Sequence, residues 1–236
     1  MKKVLLVAIL VVCVIGCVFG KSNKLIAEHQ DYKIEYTEES ADLIEGIVEY
    51  MDSHKTAVHE FFGIEGLKKP AKIIIYPNLE EWKSYIVSTG RKYYEWSVGN
   101  ADGGVIRMLN YHEYSKLKSH KRDTFEYYCK TVFHEYVHFC HQQIKKTNGS
   151  YKFFNEGLAS YLSNQDRRPI KFSEYNFDDY TDNKKFNSLK NMYGYSHYVV
   201  KRMVERLPHE QILEYAKDYR NIKKDLDKIK ALLVDE

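Results

Sequence analysis

The 236-residue sequence has little net charge and no internal repeat, low-complexity tract or linker rich in proline or serine. Its 36 lysine and arginine residues are nearly balanced by 33 aspartate and glutamate residues, which leaves a formal charge of +3. So small a charge gives no basis for a nucleic-acid partner. The length fits one domain or a compact pair of subdomains.

Cysteine is also scarce, with two of the four residues in the N-terminal segment. The other two, Cys129 and Cys140, fall on one predicted helix, about 16 Å apart along its axis. That separation is beyond disulfide reach. Both lie on the face opposite His134, so we expect small apolar core residues rather than metal ligands or a redox pair. A zinc site built from cysteines is therefore not expected.

Residues 1–20 have the pattern of a secretory signal peptide. Two lysines precede an apolar run that ends near Phe19 and is short for a membrane span. Residues 14–17 (Val-Ile-Gly-Cys) resemble the bacterial lipobox, in which the cysteine, here Cys17, becomes the lipidated first residue of the mature protein. Cleavage after Gly20 and retention as an uncleaved anchor are the alternatives. All three predict a domain outside the cytoplasm, either secreted or attached to a membrane.

Hydrophobic periodicity predicts an α+β chain with a small mixed or antiparallel sheet. Helices are predicted at residues 40–62, 79–89, 124–144, 154–164, 192–206, 208–218 and 220–234, and strands at 31–36, 72–76 and twice within 96–110, joined through residues 100–104. Residues 24–144 then form an α/β subdomain and residues 145–236 an all-helical one, with residues 165–189 mostly loop. The helix at 124–144 lies at the junction.

This junction helix carries the most informative motif, residues 134–138 (His-Glu-Tyr-Val-His). Two histidines four residues apart on a helix project from the same face. Their imidazole nitrogens can therefore bind one metal ion, for which zinc is the usual occupant. Glu135 is displaced by about 100° around the helix, from where it can reach a metal-bound water without becoming a ligand. The motif is typical of a metal-assisted hydrolase.

A catalytic zinc needs a third protein ligand and an open position. Glu156, eighteen positions after the second histidine, lies near the start of the next helix. The turn at residues 145–150 allows that helix to pack back antiparallel and present a carboxylate. His141 projects within about 20° of the first histidine, but successive turns of one straight helix do not readily enclose an ion. His209 is too remote in sequence to assess, and Glu156 is preferred.

The motif at 134–138, followed by residues 155–159 (Asn-Glu-Gly-Leu-Ala), resembles the gluzincin zinc metallopeptidases. That group includes thermolysin, the aminopeptidase N family, clostridial collagenases and small peptidase-MA-like domains. Residues 193–203 are similar to a further helix of the group, and residues 96–109 to the strand that lines its substrate cleft. The resemblance covers roughly residues 30–215, with the motifs in the family's order.

The resemblance implies a role for each matching residue. His134, His138 and Glu156 would be the ligands of one Zn²⁺ ion, and Glu135 would be the general base. Tyr193 matches the family tyrosine whose hydroxyl stabilises the oxyanion of the tetrahedral intermediate.

Two features near the matching residues leave questions open. Tyr195 and His197 are close enough in sequence to compete with the expected oxyanion donor. The position four residues after the glutamate ligand, often acidic in the family to orient a ligand histidine, is Ser160. A serine can accept a hydrogen bond from that histidine, but it would raise the basicity of the ligand less.

The expected function is an extracytoplasmic peptidase that hydrolyses peptide bonds with a zinc-activated water, with a peptide or protein as its substrate. The strand at 105–109 could hold that substrate at a sheet edge. No acidic motif in residues 96–110 would capture a substrate's N-terminus, which favours an endopeptidase over an aminopeptidase. The alternative is a catalytically weak or inactive gluzincin-fold lipoprotein that acts in binding or adhesion. The intact Glu135 argues against that alternative.

Overall fold

The structure is a computed structural model that describes residues 23–165 and 167–234. The expected signal segment, including Cys17, lies outside the described residues. Within the described residues, no helix combines the length and the apolar character that crossing a membrane requires. The chain divides into two compact units. The first contains the described residues up to Met51 and Leu67–Val132, and the second contains Asp52–Gly66 and the described residues from Phe133 onward.

The first unit contains a five-stranded mixed sheet in the order β1-β2-β3-β5-β4. The strands are β1 Leu25–Glu28, β2 Tyr32–Tyr36, β3 Ala71–Tyr76, β4 Gly99–Asp102 and β5 Val105–Leu109. The three inner strands are parallel, and β1 and β4 run antiparallel to their neighbours at the two edges. No strand follows β5 among the described residues. The predicted α+β class, with a small mixed sheet in the N-terminal half, is confirmed.

The register of the sheet explains why its inner strands are apolar. Ile34 pairs with Ile73, and Ile73 pairs with Ile106. All three side chains are fully buried, so they form one continuous apolar row across the parallel strands. Burial of such a row stabilises the sheet by roughly 2 kcal/mol for each isoleucine.

Strand β1 is absent from the sequence-based prediction. Its four residues form an edge strand in which only Ala27 is buried. So short a strand has no alternating apolar pattern that a sequence could reveal.

The hairpin of β4 and β5 also differs from the prediction. We predicted a connection over residues 100–104, whereas the structure places a two-residue turn at Gly103 and Gly104, both with positive φ. Two consecutive positive φ angles fit the tight turn that joins antiparallel strands. Strand β5 lies between β3 and β4. The expectation that residues 105–109 offer a free sheet edge is therefore wrong, and the edge is β4.

Each predicted helix has a counterpart among the described residues, but the prediction misses the short helix Tyr111–Tyr114 and takes Tyr219–Lys224 and Leu226–Ala231 as one helix. The helices are α1 Ile44–Phe62, α2 Leu79–Ser88, α3 Tyr111–Tyr114, α4 Phe125–Ile144, α5 Lys152–Leu162, α6 Phe177–Thr181, α7 Met192–Arg206, α8 His209–Lys217, α9 Tyr219–Lys224 and α10 Leu226–Ala231. Short 3-10 helices lie at Glu38–Leu43, Phe172–Glu174 and Phe186–Ser188. The segment 165–189, predicted as loop with short pieces, contains α6 and two of these turns.

Helix α5 begins two residues before its predicted start because a distant side chain caps it. The Asn183 side chain accepts a hydrogen bond from the Lys152 backbone N–H at 2.8 Å and donates one to the Ser150 carbonyl at 2.6 Å. The cap satisfies one of the backbone N–H groups that have no partner within a helix. Asn183 lies in the segment predicted as loop, so the sequence around α5 carries no sign of it.

Helices α5 and α7 pack closely in the second unit. A Cβ atom at Gly157 would lie 2.2 Å from the Ser196 carbonyl oxygen. This is too close for two heavy atoms, so any larger residue would force α5 and α7 apart. The glycine after Glu156 is therefore required by helix packing. This contact fixes α5 against the helix that carries Tyr193.

The motif helix α4 is divided between the two units at Val132 and Phe133, whereas we placed the subdomain boundary at residue 144. Within the second unit, the Phe133 ring lies 5.8 Å from that of His54, and the Tyr136 hydroxyl lies 2.8 Å from Nε2 of His59. These contacts join the motif-bearing part of α4 to residues 52–66. Both motif histidines therefore belong to the second unit.

The two cysteines of the described residues lie where the sequence predicts. Cys129 and Cys140 are buried thiols on α4. Burial is the main cause that raises the pKa of the Cys129 thiol to about 12. The thiol therefore stays protonated. Their expected role as small core residues is confirmed.

Candidate metal centre

The two motif histidines stand together on α4, as their spacing predicts. The ring centroids of His134 and His138 are 4.7 Å apart, with the ring planes at 83°. Neighbouring residues of this turn, Phe133, Tyr136 and Val137, are buried in the second unit, which fixes the orientation of the helix. His134 is itself buried and His138 is partly exposed. The two imidazoles are therefore held by a helix that cannot rotate freely.

Helix α5 brings the Glu156 carboxylate to the same point. Its Oε2 atom lies 3.3 Å from Nε2 of His134 and 3.6 Å from Nε2 of His138. One potential ligand atom of each residue lies within 4.8 Å of the other two. These three residues, which we call the metal cluster, could hold a metal ion.

The electrostatics of the metal cluster follow from burial and mutual contact. Burial lowers the pKa of His134 to about 4, against the opposing effect of its hydrogen bond with Glu156. Burial would raise the pKa of the Glu156 carboxyl, but His138 and His134 hold it below its usual range. The pKa of His138 is raised, because Glu156 and Glu135 outweigh its burial. A neutral His134 and an ionised Glu156 are the forms that bind metal.

The donor set of the metal cluster fits a divalent transition metal, since two imidazole nitrogens and one carboxylate oxygen are common ligands of such ions. The hydrogen bonds that would orient these ligands are incomplete. Nδ1 of His134 is buried and has no hydrogen-bond partner among the described residues. A ligand histidine normally donates its second ring N–H to a carboxylate, a carbonyl or water. The ligands converge, but the tautomer of His134 is not fixed by a side chain of the described residues.

Ser160, which we expected to be available to a ligand histidine, has other partners. Its hydroxyl oxygen accepts a hydrogen bond from Nε of Arg167 at 3.1 Å and lies 3.2 Å from Nδ1 of His197. Because the oxygen already accepts from Arg167, the hydroxyl proton is available to donate to His197. Ser160 therefore bonds with Arg167 and lies against His197, instead of orienting a ligand histidine as the family pattern suggested.

Tyr193 lies close enough to Glu156 and Glu135 for their charges to act on its hydroxyl. Burial, together with the charges of Glu156 and Glu135, raises the pKa of the Tyr193 hydroxyl well above its ordinary value, against the opposing charge of Arg167. The hydroxyl is therefore neutral and can donate a hydrogen bond. Glu135 is only partly buried, so its carboxylate is accessible to water.

Tyr195 and His197, which could compete with Tyr193 as the oxyanion donor, have other contacts in the structure. Tyr195 is buried, and its ring centroid lies 4.0 Å from that of Tyr180 and 5.0 Å from that of Tyr175. It is thus part of an aromatic core. His197 contacts Ser160 through Nδ1. These contacts favour Tyr193 as the tyrosine that belongs to the candidate site.

The other two candidate ligands lie outside the metal cluster. Nε2 of His141 is 2.8 Å from the Ala216 carbonyl oxygen, and its ring stacks on Phe62 with centroids 5.7 Å apart. His141 is thus a buried core histidine and not the third ligand, as the preference for Glu156 predicted. His209 packs edge-on against the ring of Phe61 at 4.7 Å.

Arg167 is the residue of this region that sequence reasoning missed. Its guanidinium carbon lies 5.6 Å from the centroid of the Tyr193 ring. It belongs to the segment after α5 that has no periodic pattern, eleven positions after Glu156. No local sequence signal marks it, since its position depends on how that segment folds back along α7.

Comparison with known proteins adds no further information on the site, since no protein-family model matches the chain and no curated protein matches it. Functional inference therefore rests on the residues and their geometry.

Proposed function

We propose that this protein is an extracytoplasmic zinc-dependent peptidase of the gluzincin type that hydrolyses peptide bonds. The observation that carries the proposal is the convergence of one carboxylate and two imidazoles within 4.8 Å. Glu135, beside the first of these histidines, and Tyr193 supply the two further groups that such a reaction needs. An endopeptidase is preferred over an aminopeptidase, as the sequence suggested.

His134, His138 and Glu156 would hold the zinc ion. Zinc bound by two neutral ligands and one anionic ligand keeps a positive charge, which lowers the pKa of water and polarises a substrate carbonyl. The ionised state of Glu156 suits this role because a carboxylate binds metal only when deprotonated.

Glu135 would act as the general base. It follows the first ligand on α4 by one residue, about 100° around the helix, and its charge acts on His138 and Tyr193. In this role it accepts a proton from the attacking water and then delivers it to the amine that leaves. Partial exposure of Glu135 allows a water molecule to reach the carboxylate.

Tyr193 would stabilise the charge that develops on the carbonyl oxygen. Its raised pKa keeps the hydroxyl protonated, so it offers a hydrogen bond without becoming charged. A hydrogen-bond donor fixed in advance stabilises a developing oxyanion more effectively than reorganising water does.

The test is to measure zinc content and the hydrolysis of mixed peptides. We expect one zinc ion per chain and cleavage that a chelator abolishes. The variant Glu135→Ala should keep its zinc and lose at least about 100-fold in rate. Glu126→Ala, an exposed glutamate of the same helix, is the matched control and should behave as the wild type. Absence of bound metal, or hydrolysis unchanged in Glu135→Ala, would contradict the proposal.

A second candidate function is a catalytically weak or inactive relative that uses the same fold for binding or adhesion. The observation that favours it is the unpartnered Nδ1 of His134, because incomplete support of a ligand weakens metal binding and activity. In that case the wild type binds zinc and cleaves no peptide in the mixture.

The proposed location follows from the N-terminal segment of the sequence. Residues 1–20 support secretion, and Cys17 supports attachment to a membrane through a lipid. Mass spectrometry of the mature N-terminus distinguishes the two, since a free amine at Lys21 would exclude lipidation.

A further inference from the structure

Arg167 places a positive charge beside the metal cluster. Its guanidinium carbon lies 5.6 Å from the centroid of the Tyr193 ring. Its Nε contacts Ser160, which lies one turn after Glu156 on α5. Among residues 23–165 and 167–234, no carboxylate forms an ion pair with Arg167.

Buried side chains hold this arginine in one orientation. Its Nε donates to Oγ of Ser160 at 3.1 Å, and one terminal nitrogen donates to Oε1 of Gln165 at 2.5 Å. Both acceptor residues are at least 96% buried, with exposures of 0% for Ser160 and 4% for Gln165. The Tyr198 hydroxyl donates to the backbone carbonyl of Arg167 at 2.9 Å. The guanidinium therefore loses little additional freedom when it binds a ligand.

The two side-chain hydrogen bonds leave part of the guanidinium available. A guanidinium carries five N–H donors in a fixed planar arrangement, and two of them are used by described residues. The remaining donors include both N–H groups of one terminal nitrogen. Such a planar pair matches the two oxygens of a carboxylate, and Arg167 is only partly buried.

The serine at position 160 leaves the positive charge of the Arg167 guanidinium uncompensated. An acidic residue at position 160, in contact with Nε of Arg167, would form an ion pair and cancel its charge. Serine accepts the same hydrogen bond without charge. Ser160 thus fixes the direction of the guanidinium and leaves its charge for a ligand.

We propose that Arg167 determines substrate specificity by binding a carboxylate of the peptide close to the bond that is cleaved. That carboxylate belongs either to the peptide's C-terminus or to an aspartate or glutamate side chain. The inference rests on the proposed peptidase function. A C-terminal carboxylate would make the protein a carboxypeptidase, and a side-chain carboxylate would make it an endopeptidase selective for acidic residues.

The test uses three kinds of N-terminally labelled peptide based on one sequence. The first has a free C-terminal carboxylate and no acidic side chain, the second is its C-terminal amide, and the third is a set of amides with one aspartate or glutamate at each position in turn. Cleavage by the zinc-loaded full chain is followed by mass spectrometry. Binding without turnover is measured by fluorescence anisotropy in the Glu135→Ala background.

Three variants separate the role of charge from the role of structure. Arg167→Gln removes the charge, Arg167→Lys keeps the charge without the planar donor pair, and Arg168→Gln makes the same charge change at the exposed neighbouring residue. We expect the wild type and Arg168→Gln to prefer a carboxylate-bearing peptide by about 10- to 100-fold. Arg167→Gln should lose this preference, so that it cleaves acidic and neutral peptides at rates within about threefold of each other. Arg167→Lys should keep part of the preference.

The results distinguish this inference from the proposed function. Equal treatment of acidic and neutral peptides by a wild type that cleaves them would overturn the role of Arg167 and leave the peptidase intact. An equal loss on both kinds of peptide in Arg167→Gln and Arg167→Lys would show a purely structural arginine. If nothing is cleaved but binding in the Glu135→Ala background prefers the carboxylate through Arg167, the peptidase proposal fails and this inference stands. No preference in binding would overturn the inference.

Discussion

The metal cluster of the second unit can be compared with a group in the first unit that also joins a histidine to a carboxylate. In the first unit, Asp123 accepts hydrogen bonds from the Tyr114 hydroxyl at 2.6 Å and from Nδ1 of His120 at 2.9 Å. The second ring nitrogen of that histidine lies 3.3 Å from the Trp96 carbonyl oxygen. Every polar side-chain atom of the histidine has a partner, and the tyrosine and histidine rings stack at 4.3 Å.

The metal cluster of the second unit is built differently. Glu156 contacts both His134 and His138, yet Nδ1 of His134 is buried without a partner among the described residues. A buried polar atom without a partner destabilises a folded protein by about 1–3 kcal/mol. A bound ion would use the convergent Nε2 and Oε2 atoms and would leave this Nδ1 as it is. The complete group thus stabilises its loop, and the incomplete group has capacity for a ligand.

The largest expected difference between the two groups is in metal affinity. Glu156→Gln removes one of the ligands and should weaken zinc binding on the order of 1,000-fold, since the binding free energy is shared among few ligands. Asp123→Asn makes the same chemical change in the complete group and should leave zinc affinity within about threefold of wild type. Competition with a chromophoric chelator measures both. Equal losses would show that the two groups do not differ in this way.

A second test concerns pH and uses His141, a buried histidine on the same helix as the metal cluster. Burial lowers its pKa to about 4, with Lys145 and His138 acting in the same direction and the Ala216 carbonyl opposing them. Below pH 6.5 the unfolded chain gains a proton that folded His141 does not, so stability falls as pH decreases and levels off below pH 4. The contribution is about 3 kcal/mol when complete.

Urea unfolding of metal-free protein between pH 7.5 and 4 measures this effect. His141→Gln removes the titrating group and keeps a donor for the Ala216 carbonyl. Its stability should decrease less with falling pH than that of the wild type. Parallel pH profiles for the two proteins would contradict the assigned pKa shift.

The complete group should contribute more to stability than an exposed ion pair of the same unit. Asp123→Ala leaves the fully buried Tyr114 without its acceptor and should lower the free energy of unfolding by about 2 kcal/mol. Asp102→Ala removes a carboxylate that pairs with Arg91 at 2.8 Å while both side chains are about half exposed. That change should alter stability by less than about 1 kcal/mol. Thermal or urea unfolding measures both variants. Similar losses of unfolding free energy in Asp123→Ala and Asp102→Ala would contradict this expectation.

The sequence predicted those parts of the structure that depend on local spacing. A four-residue separation on a helix is sufficient to bring His134 and His138 together, as the structure confirms. The turn at 145–150 was sufficient to predict that Glu156 joins them. Most helix and strand bounds also follow from periodicity, and they agree with the structure to within a few residues.

Contacts between distant segments could not be predicted in this way. Asn183 caps α5 from a region without periodicity, and Arg167 reaches Ser160 and the Tyr193 ring from the same region. His141 shares a helix face with His134 to within about 20°, so the helix alone does not exclude it as a ligand. Its burial against Phe62 does, and that packing depends on tertiary structure.

The smallest expected effect tests whether Ser160 supports the metal cluster. Residues that hydrogen-bond a ligand histidine typically change metal affinity by 10- to 100-fold when they are replaced. Ser160 instead bonds with Arg167 and lies against His197. We therefore expect Ser160→Ala to change zinc affinity by less than about threefold, while stability decreases by about 1 kcal/mol because Nε of Arg167 loses its acceptor.

Chelator competition and urea unfolding of the same Ser160→Ala preparation measure the two quantities side by side. A tenfold or larger loss of zinc affinity would contradict the hydrogen bonding seen here, since it would mean that the hydroxyl acts on a ligand histidine. An unchanged affinity with reduced stability leaves His134 as a ligand without side-chain support from position 160. The absence of that support then separates the metal cluster from the complete histidine group of the first unit.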